Sequence, residues 1–533
     1  MSCSRSGYAE LAACSTVWWG VDLILSSVDE IRNGRNGARD LKGGAEPCHR
    51  GFTKTHSTEG YPVTRSVIEL ADQHKHLASA LQALAERVEQ LGSQGADGKS
   101  IDYAKIEREV GAAAASVERA AHQGLLAGLD IDTAQVLIGG ALHTRVGRYE
   151  GAYHTMAGSV SVLRSLYRRD GQRNGKVVDT IGMRAGVVAD GWLPQTARAM
   201  AHHVQGGTAR DAEATASESG RLVYSRCSFD RVTHAVGELY GDHNVDIDDA
   251  LITAYEPPAE ARSISVGLDR VSLPTIEPRP RPAGRPKKDA PKRPITVAWR
   301  MMWVAIVTLH DRNGDALHTI RYGAMPDDGC ASLLHGAAGD VNELLRKRPR
   351  LKVSLLSDGA HDLVDTLTTD VGGRVDREVF QAVDFWHLIE KLGTAARLLD
   401  GDHDKRLARW RLHLLNVEGA ALSILGELRD SGRERVKLGE TEPVHDAITY
   451  IDNHHDKMNY AALRAAGLPI GSGNTEATCK TLVDVRMKRA GSRWNIETAR
   501  HIVQLRALAT SDRWSEAMAL TLRPLRKSVR VAA

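Results

Sequence analysis

Apolar residues recur at helical spacing early in the chain and at strand spacing in its middle. Leu77, Leu81, Leu84, Val88 and Leu91 alternate steps of four and three, which predicts a helix over 73–91, and a second helical stretch over 101–126 completes a helical hairpin or short coiled coil able to self-associate. Residues 134–168 alternate apolar and polar side chains and end in Arg168 and Arg169, which predicts a strand pair. Two helical patterns follow over 195–245, the second beginning behind a Ser225 cap signal with Ser228 as another. They form a helix-turn-helix-like unit whose later helix is the candidate for a DNA major groove.

Short apolar runs then dominate. SISVGLDRVSLP (263–274) is a strand with Asp269 at or near its end, and the runs at 299–309 and 314–323 form a hairpin about residues 311–314. LKVSLLS ends abruptly at Asp358, Gly359 follows, and a helical pattern comes next. REVFQAV is strand-like and leads into Asp384 and His387. From 398 to 463 the period is helical throughout, with Trp410, Leu414 and Leu415 on the apolar side. Pro469, Gly471 and Gly473 then keep the chain extended until Asn474, read as an N-cap, starts a helix running to Arg489 before Gly491. Residues 1–60 have no sustained period, are rich in Gly and Arg over 33–51, and read as disorder.

A chain of 533 residues with 42% hydrophobic content has room for two to four domains with real cores. The net charge of +3 is small, so a nucleic-acid surface has to come from local clustering. Residues 278–294 supply one such cluster, with six prolines and seven basic residues against one acid, including Arg285, Lys287 and Lys288. Proline removes the helical option, so this is an extended basic arm. Six cysteines without a C-x-x-C pair argue against a zinc ribbon or a disulfide scaffold and favour a reducing cytosol. The apolar segment around Trp18 is too short and wrongly flanked for a signal peptide or a membrane span.

The chemistry concentrates in GSGNTEATCK. Glu476 lies in the first turn of the predicted helix, Lys480 shares its face one turn on, and Arg486, Lys488, Arg489 and Arg493 extend the positive charge as candidate DNA contacts. Asp269 and Asp358 at strand ends complete a set of three hard carboxylate ligands of the kind Mg²⁺ or Mn²⁺ takes. Asp384 and His387, at i and i+3, share a helical face where the carboxylate can orient the imidazole; the alternative is a structural N-cap and a buried histidine. Trp494 either stacks on a base or fills the core. The cluster from Asn453 to Asp456 lacks a second ligand group and is not a metal site.

The order Asp269, Asp358, DFWH, PIGSGNTEATCK and RMKRAGSRWN resembles bacterial insertion-sequence transposases of the ISKra group, within the Asp-Asp-Glu superfamily, over roughly residues 140–515. The resemblance implies an α/β chain with an RNase H-like catalytic domain, a mixed five-stranded sheet with helices, interrupted by an all-α insertion and preceded by a mainly helical N-terminal region. Its first aspartate lies on the first strand, its second just after the fourth, and its glutamate on a packed helix; the separation of 118 residues from Asp358 to Glu476 requires the insertion. The Asp384–His387 pair matches the Asp/Cys-x-x-His motif of Mutator-like and hAT transposases.

The expected organisation is therefore a disordered 1–60, a helical 61–133, a hairpin plus helix-turn-helix-like region at 134–260, catalytic segments at 261–399 and 467–515 around an α-helical 400–466, and a basic tail at 516–533. The resemblance implies metal-dependent cleavage at element ends and 3′-OH strand transfer, with Asp269 bridging two Mg²⁺ or Mn²⁺ ions and Asp358 and Glu476 each holding one. It further implies double-stranded DNA as partner, a homo-oligomer on DNA, and a bacterial cytoplasmic setting at the nucleoid without membrane. Two alternatives share the fold: a catalytically inactive, domesticated DNA-binding protein, and an RNase H-like structure-specific nuclease.

Neutralising Arg285, Lys287 and Lys288 together is expected to weaken binding to unrelated DNA sequences equally. The slope of log affinity against log salt should fall by about 0.9 for each phosphate the arm no longer neutralises. An unchanged slope would make the arm a spacer.

Overall fold

The computed structural model describes residues 72–93, 100–277 and 295–532. The expectations for 1–60 and for the basic arm at 278–294, with Arg285, Lys287 and Lys288, lie outside the described residues.

The predicted helical hairpin is α1 (Lys75–Ser93) and α2 (Tyr103–Ala127), the latter capped by the Asp102 side chain. In α1 only Leu91 is buried, whereas the C-terminal part of α2, with Ala120 and Leu126, packs inward. That part of α2 lies against an antiparallel sheet of β1 (Gln135–Ile138), β2 (Ala141–Thr155), β3 (Gly158–Arg169) and β4 (Val177–Asp179). Tyr153, Tyr167, Val160 and Val162 are its buried alternating residues.

A helical layer follows: α3 (Thr180–Ala185), α4 (Pro194–Gly206), α5 (Ala209–Ser219), α6 (Arg226–Gly241) and α7 (Asn244–Ala254). The single helical pattern expected over 195–220 is in fact two helices. Gly206 and Gly207 break it, and Thr208 restarts it through a capping box with Asp211. Ser225 caps α6 by accepting from the Ser228 amide.

The second sheet joins β5 (Ser263–Ile276), β6 (Val297–His310), β7 (Ala316–Ala324), β8 (Lys352–Ser357) and β9 (Val379–Val383), with α8 (Ala331–Lys347) before β8 and α9 (His361–Leu367) after it. Its order is β7-β6-β5-β8-β9; β6 runs antiparallel to both of its neighbours, β5 and β7, whereas β8 pairs parallel with β5 and β9 parallel with β8. The connections dictate this: a tight turn at Asp311–Gly314 permits only an antiparallel pair, and parallel neighbours need the crossovers that α8 and α9 supply. Ile264, Val266, Val307, Val353 and Leu355 form the core with Leu334, Val341 and Leu344 of α8. The chain is thus a mixed α/β protein with two five-stranded sheets. β5 does not stop near Asp269 as the sequence suggested; it continues to Ile276 as a two-stranded ribbon with β6.

After β9 come α10 (Phe385–Ala396) and four helices, α11 (His403–Asn416), α12 (Ala420–Asp430), α13 (Pro443–His454) and α14 (Tyr460–Ala465). They share a core around Trp410, Leu414, Ile424, Ile451 and Tyr460. The next helix begins as α15 (Gly473–Thr478), widens into a π-helical stretch over Cys479–Asp484, and closes as α16 (Val485–Met487), two residues short of the predicted end at Arg489.

α17 (Ile496–Thr510), α18 (Trp514–Leu522) and β10 (Val529–Val531) complete the chain. The expected basic tail at 516–533 is described as far as residue 532 and carries most of α18 and all of β10. Trp514, Ala517, Met518 and Leu522 recur at helical spacing and are buried, and β10 adds to the first sheet with Val531 opposite Val136. Among the described residues no helix is long and apolar enough to cross a membrane.

The seat of α15 on β5 depends on Gly267, where a Cβ would lie 2.2 Å from Thr475 Oγ1. Gly267→Val is expected to destabilise the protein by about 1–3 kcal/mol, the usual range for overpacking, read as a lower urea midpoint. Gly336→Ala on α8, with nothing within 4 Å of the new Cβ, should show no such loss.

Candidate functional site

β5 and β8 are paired in parallel from Ser263 opposite Lys352 to Gly267 opposite Leu356. The same offset carried two residues on sets Asp269 across from Asp358, at the point where β8 ends and the chain turns away. Asp358 makes that turn by accepting from the Ala360 amide at 2.9 Å, and Gly359 adopts a φ of +94°, a left-handed value that favours glycine. Tyr450, on α13, closes over the turn: its hydroxyl donates to the Asp358 carbonyl at 2.8 Å. Asp269 accepts from the Arg270 amide at 2.6 Å through one carboxylate oxygen, and the Cys479 thiol donates to the other at 3.3 Å.

Glu476 reaches the same place from the first turn of α15 and keeps its side chain 48% exposed. Asp384, only 1% exposed, fixes this helix to the sheet. One of its oxygens accepts from the His387 amide at 2.7 Å and so caps α10. The other accepts from the Ser472 amide and, at 2.8 Å, from the Ser472 hydroxyl. Ser472, not Asn474, is consequently the residue that opens α15, because its polar groups face the buried carboxylate.

His387 Nδ1 lies 3.1 Å from Asp384 and 3.9 Å from Glu476 Oε1. Contact with the Asp384 carboxylate raises the His387 pKa above its ordinary value despite partial burial. Burial pushes the Asp384 carboxyl upward, but the His387 and Ser472 contacts outweigh it and hold the pKa at about 2.

These groups line one cavity of about 80 Å³, formed by Leu268, Asp269, Ser357, Asp358, His387, Ser472, Thr475 and Glu476. The sequence-predicted acids and His387 thus face a common space. Among the described residues no three His, Cys, Asp or Glu side chains stand at ligating distance of one point. The donor set nevertheless suits a hard cation, since three carboxylates can hold Mg²⁺ while water or phosphate fills its other positions.

The basic candidates divide. Lys480 and Arg493 are exposed. Lys488 pairs with Asp484 at 2.9 Å, and Arg489 pairs with Asp211. Arg486, expected on the DNA-facing surface, is instead 6% exposed. Its guanidinium donates to the Val204 carbonyl at 3.2 Å and lies 5.0 Å from the centre of the Trp494 ring. Burial lowers its pKa to about 10. Trp494 belongs to the same packing rather than to a free base-stacking surface: its Nε1 donates to the Met487 carbonyl at 2.8 Å and its amide to Pro274 at 3.0 Å.

Sequence reasoning missed three residues of this region. Cys479 follows Glu476 by three positions, a spacing that could have placed it on the same face. Tyr450 gave no signal. Arg506, 7% exposed, donates to the carbonyls of Leu482 at 3.0 Å and Gln205 at 2.7 Å and also to that of Thr481; its one clue was an arginine inside the apolar run of α17.

No protein-family model matches the chain, and no curated protein matches it. A comparison with solved structures finds a Drosophila P element transposase strand transfer complex at 12% identity, covering 61% of this chain and 80% of that chain, with a TM-score of 0.24.

The His387 ring is expected to titrate with a midpoint above 6.5, the ordinary histidine value, in a proton NMR titration. Asp384→Asn should move the midpoint downward. Because the folded pKa is raised, the stability this pair adds is fully present below the unfolded histidine pKa and is lost as pH rises through the folded one. For Asp384 the sign reverses: its contribution is present above the unfolded carboxyl pKa of 3.8 and disappears as pH falls toward about 2. A His387 midpoint unaffected by Asp384→Asn would remove Asp384 as the cause.

Proposed function

We propose that this chain is a DNA transposase of the ISKra kind, cleaving element ends and transferring the freed 3′-OH to target DNA. The observation that carries the reading is that Asp269 of β5, Asp358 just past the end of the neighbouring parallel strand β8, and Glu476 of α15 line one cavity. The sheet order supports it too: three antiparallel strands followed by two parallel ones is the arrangement of an RNase H-like fold, with acids on its first strand, after its fourth strand, and on a packed helix. The four helices α11 to α14, within residues 403–465, accord with the helical insertion expected at 400–466.

Asp269, Asp358 and Glu476 are the residues to hold Mg²⁺ or Mn²⁺, two ions that when bound activate the attacking oxygen and stabilise the leaving 3′-oxygen. Asp269 has one donor on each oxygen, the Arg270 amide and the Cys479 thiol, and offers the ion its remaining lone pairs. His387, kept protonated by Asp384 to higher pH than an ordinary histidine, offers positive charge to a phosphate oxygen beside Glu476. In the first reaction water adds to phosphorus and the bond to the 3′-oxygen breaks; in the second that 3′-OH adds to a target phosphate and displaces the next 3′-oxygen. Neither step forms a bond to the protein. Lys480 and Arg493 are the exposed cations of the glutamate segment available to double-stranded DNA. A homo-oligomer, pairing two element ends, is the assembly this chemistry requires.

Replacing Asp269, Asp358 or Glu476 with alanine is expected to abolish Mg²⁺-dependent cleavage of DNA bearing the element's termini while leaving DNA binding intact. Wild-type protein should join those 3′ ends to a second DNA, and Ca²⁺ should support binding without chemistry. Cleavage that survives Asp269→Ala or Asp358→Ala would refute the site, and cleavage never followed by joining would make the protein a nuclease.

A further inference from the structure

Trp386 is an exposed aromatic residue one position before His387 of the cavity lining, and no role assigned above uses it. It is 52% exposed, although it follows Phe385, which is 1% exposed and packed edge-on against Tyr460 at 5.1 Å. Phe385 also meets the Trp386 ring edge-on at 5.2 Å, and Gly471 passes so close that a Cβ there would lie 3.1 Å from Trp386 Cδ1. The ring is therefore held from beneath and along one edge. Arg411, an exposed residue of α11, sets its guanidinium 4.8 Å from the ring centre. Both chain neighbours of this platform reach the cavity: His387 is adjacent to Trp386, and Ser472 is adjacent to Gly471. The same added Cβ on Gly471 would lie 3.5 Å from Asp384 Oδ2, the oxygen that holds Ser472, so the indole edge and that carboxylate flank one point of the chain beside the cavity.

A single exposed apolar residue needs no explanation, but a fixed indole beside an arginine offers what an unstacked nucleobase requires: a flat π surface and a cation to share it. We propose that Trp386 and Arg411 form a binding site for one unpaired nucleobase of the DNA strand whose phosphate enters the cavity. The proposal rests on the reading of the cavity as a phosphodiester site, and it adds a ligand subsite to it. Stacking is tolerant of base identity, so the subsite selects an unpaired base rather than a sequence. It also places strand opening next to the acids, on the insertion side of the cavity, because Arg411 comes from α11.

The test uses the full-length protein without divalent metal, so that binding is read independently of cleavage. The probes are an arbitrary-sequence duplex and the same duplex carrying one unpaired 2-aminopurine. Wild-type protein is expected to bind the bulged duplex more tightly by roughly five- to a hundredfold, the range one base–aromatic stack covers, with quenching of 2-aminopurine fluorescence. Trp386→Ala should abolish both the preference and the quenching, Trp386→Phe should retain most of each, and Arg411→Ala should reduce them. Asp269→Ala should retain both, which separates this subsite from the chemistry: if Asp269→Ala still cleaves DNA the phosphodiester reading fails, while the binding result stands. Equal affinity of wild-type protein for the two duplexes, or an undiminished preference in Trp386→Ala, overturns the proposal and leaves Trp386 as a surface for a protein partner.

Discussion

The site depends on a single buried carboxylate. Asp384 ends the last strand of the second sheet, and its two oxygens receive the His387 amide on one side and the Ser472 amide and hydroxyl on the other. A carboxylate so enclosed is stable only when its lone pairs are satisfied, and losing one such donor costs about 1–3 kcal/mol. The consequence is geometric. Residues 384 and 472 are far apart in sequence and the helical insertion lies between them, so local bonds hold the start of α15 at the sheet edge: those to Asp384 and, beside them, the Phe385 amide donating to the Ile470 carbonyl at 3.0 Å. Glu476, one turn further on, inherits that position. The same carboxylate lies 3.1 Å from His387 Nδ1, which stands 3.9 Å from Glu476, so one acid neighbours both the histidine and the helix.

The far end of the glutamate segment is fixed by cations. A π-helical stretch leaves its carbonyls poorly matched to the next turn, and Arg506 reaches across from α17 to receive those of Thr481 and Leu482. Arg506 and Arg486 also donate to Gln205 and Val204, the last carbonyls of α4, where a helix has unpaired acceptors and a partial negative charge. Burial lowers the pKa of both guanidinium groups, yet arginine starts high enough to stay charged at neutral pH. These bonds make the helical region of residues 194–241 and the glutamate segment one mechanical unit.

Much of this was legible in sequence. The strands around Asp269 and Asp358, the hairpin at 311–314 and the helical insertion follow from runs of β-branched residues, turn residues and period alone. The sequence misplaced what depends on distant partners. Asn474 is a good N-cap by propensity, but Ser472 takes the position because Asp384 lies beneath it. Arg486 reads as a surface cation because nothing nearby in sequence announces that the end of α4 will cover it. The tail from 516 conceals a strand because three residues, Val529–Val531, carry too short a pattern to be seen before β1 presents its open edge.

The balance of charge around the cavity carries one further step. Asp269, Asp358 and Glu476 bring three carboxylates to it, and His387 is the only basic side chain among its lining residues. Arg270, whose amide touches Asp269, sends its guanidinium to Asp362 at 2.7 Å instead of into the cavity. Asp269 is moderated by a neutral thiol and Asp358 by backbone groups alone. Like charges drawn together in a partly enclosed space repel, and neutral donors offset only part of that repulsion. A structural cluster would be expected to recruit the nearby arginine. A cavity that leaves it outside keeps an excess of carboxylates over cations, the condition that the divalent ion of the proposed function would need.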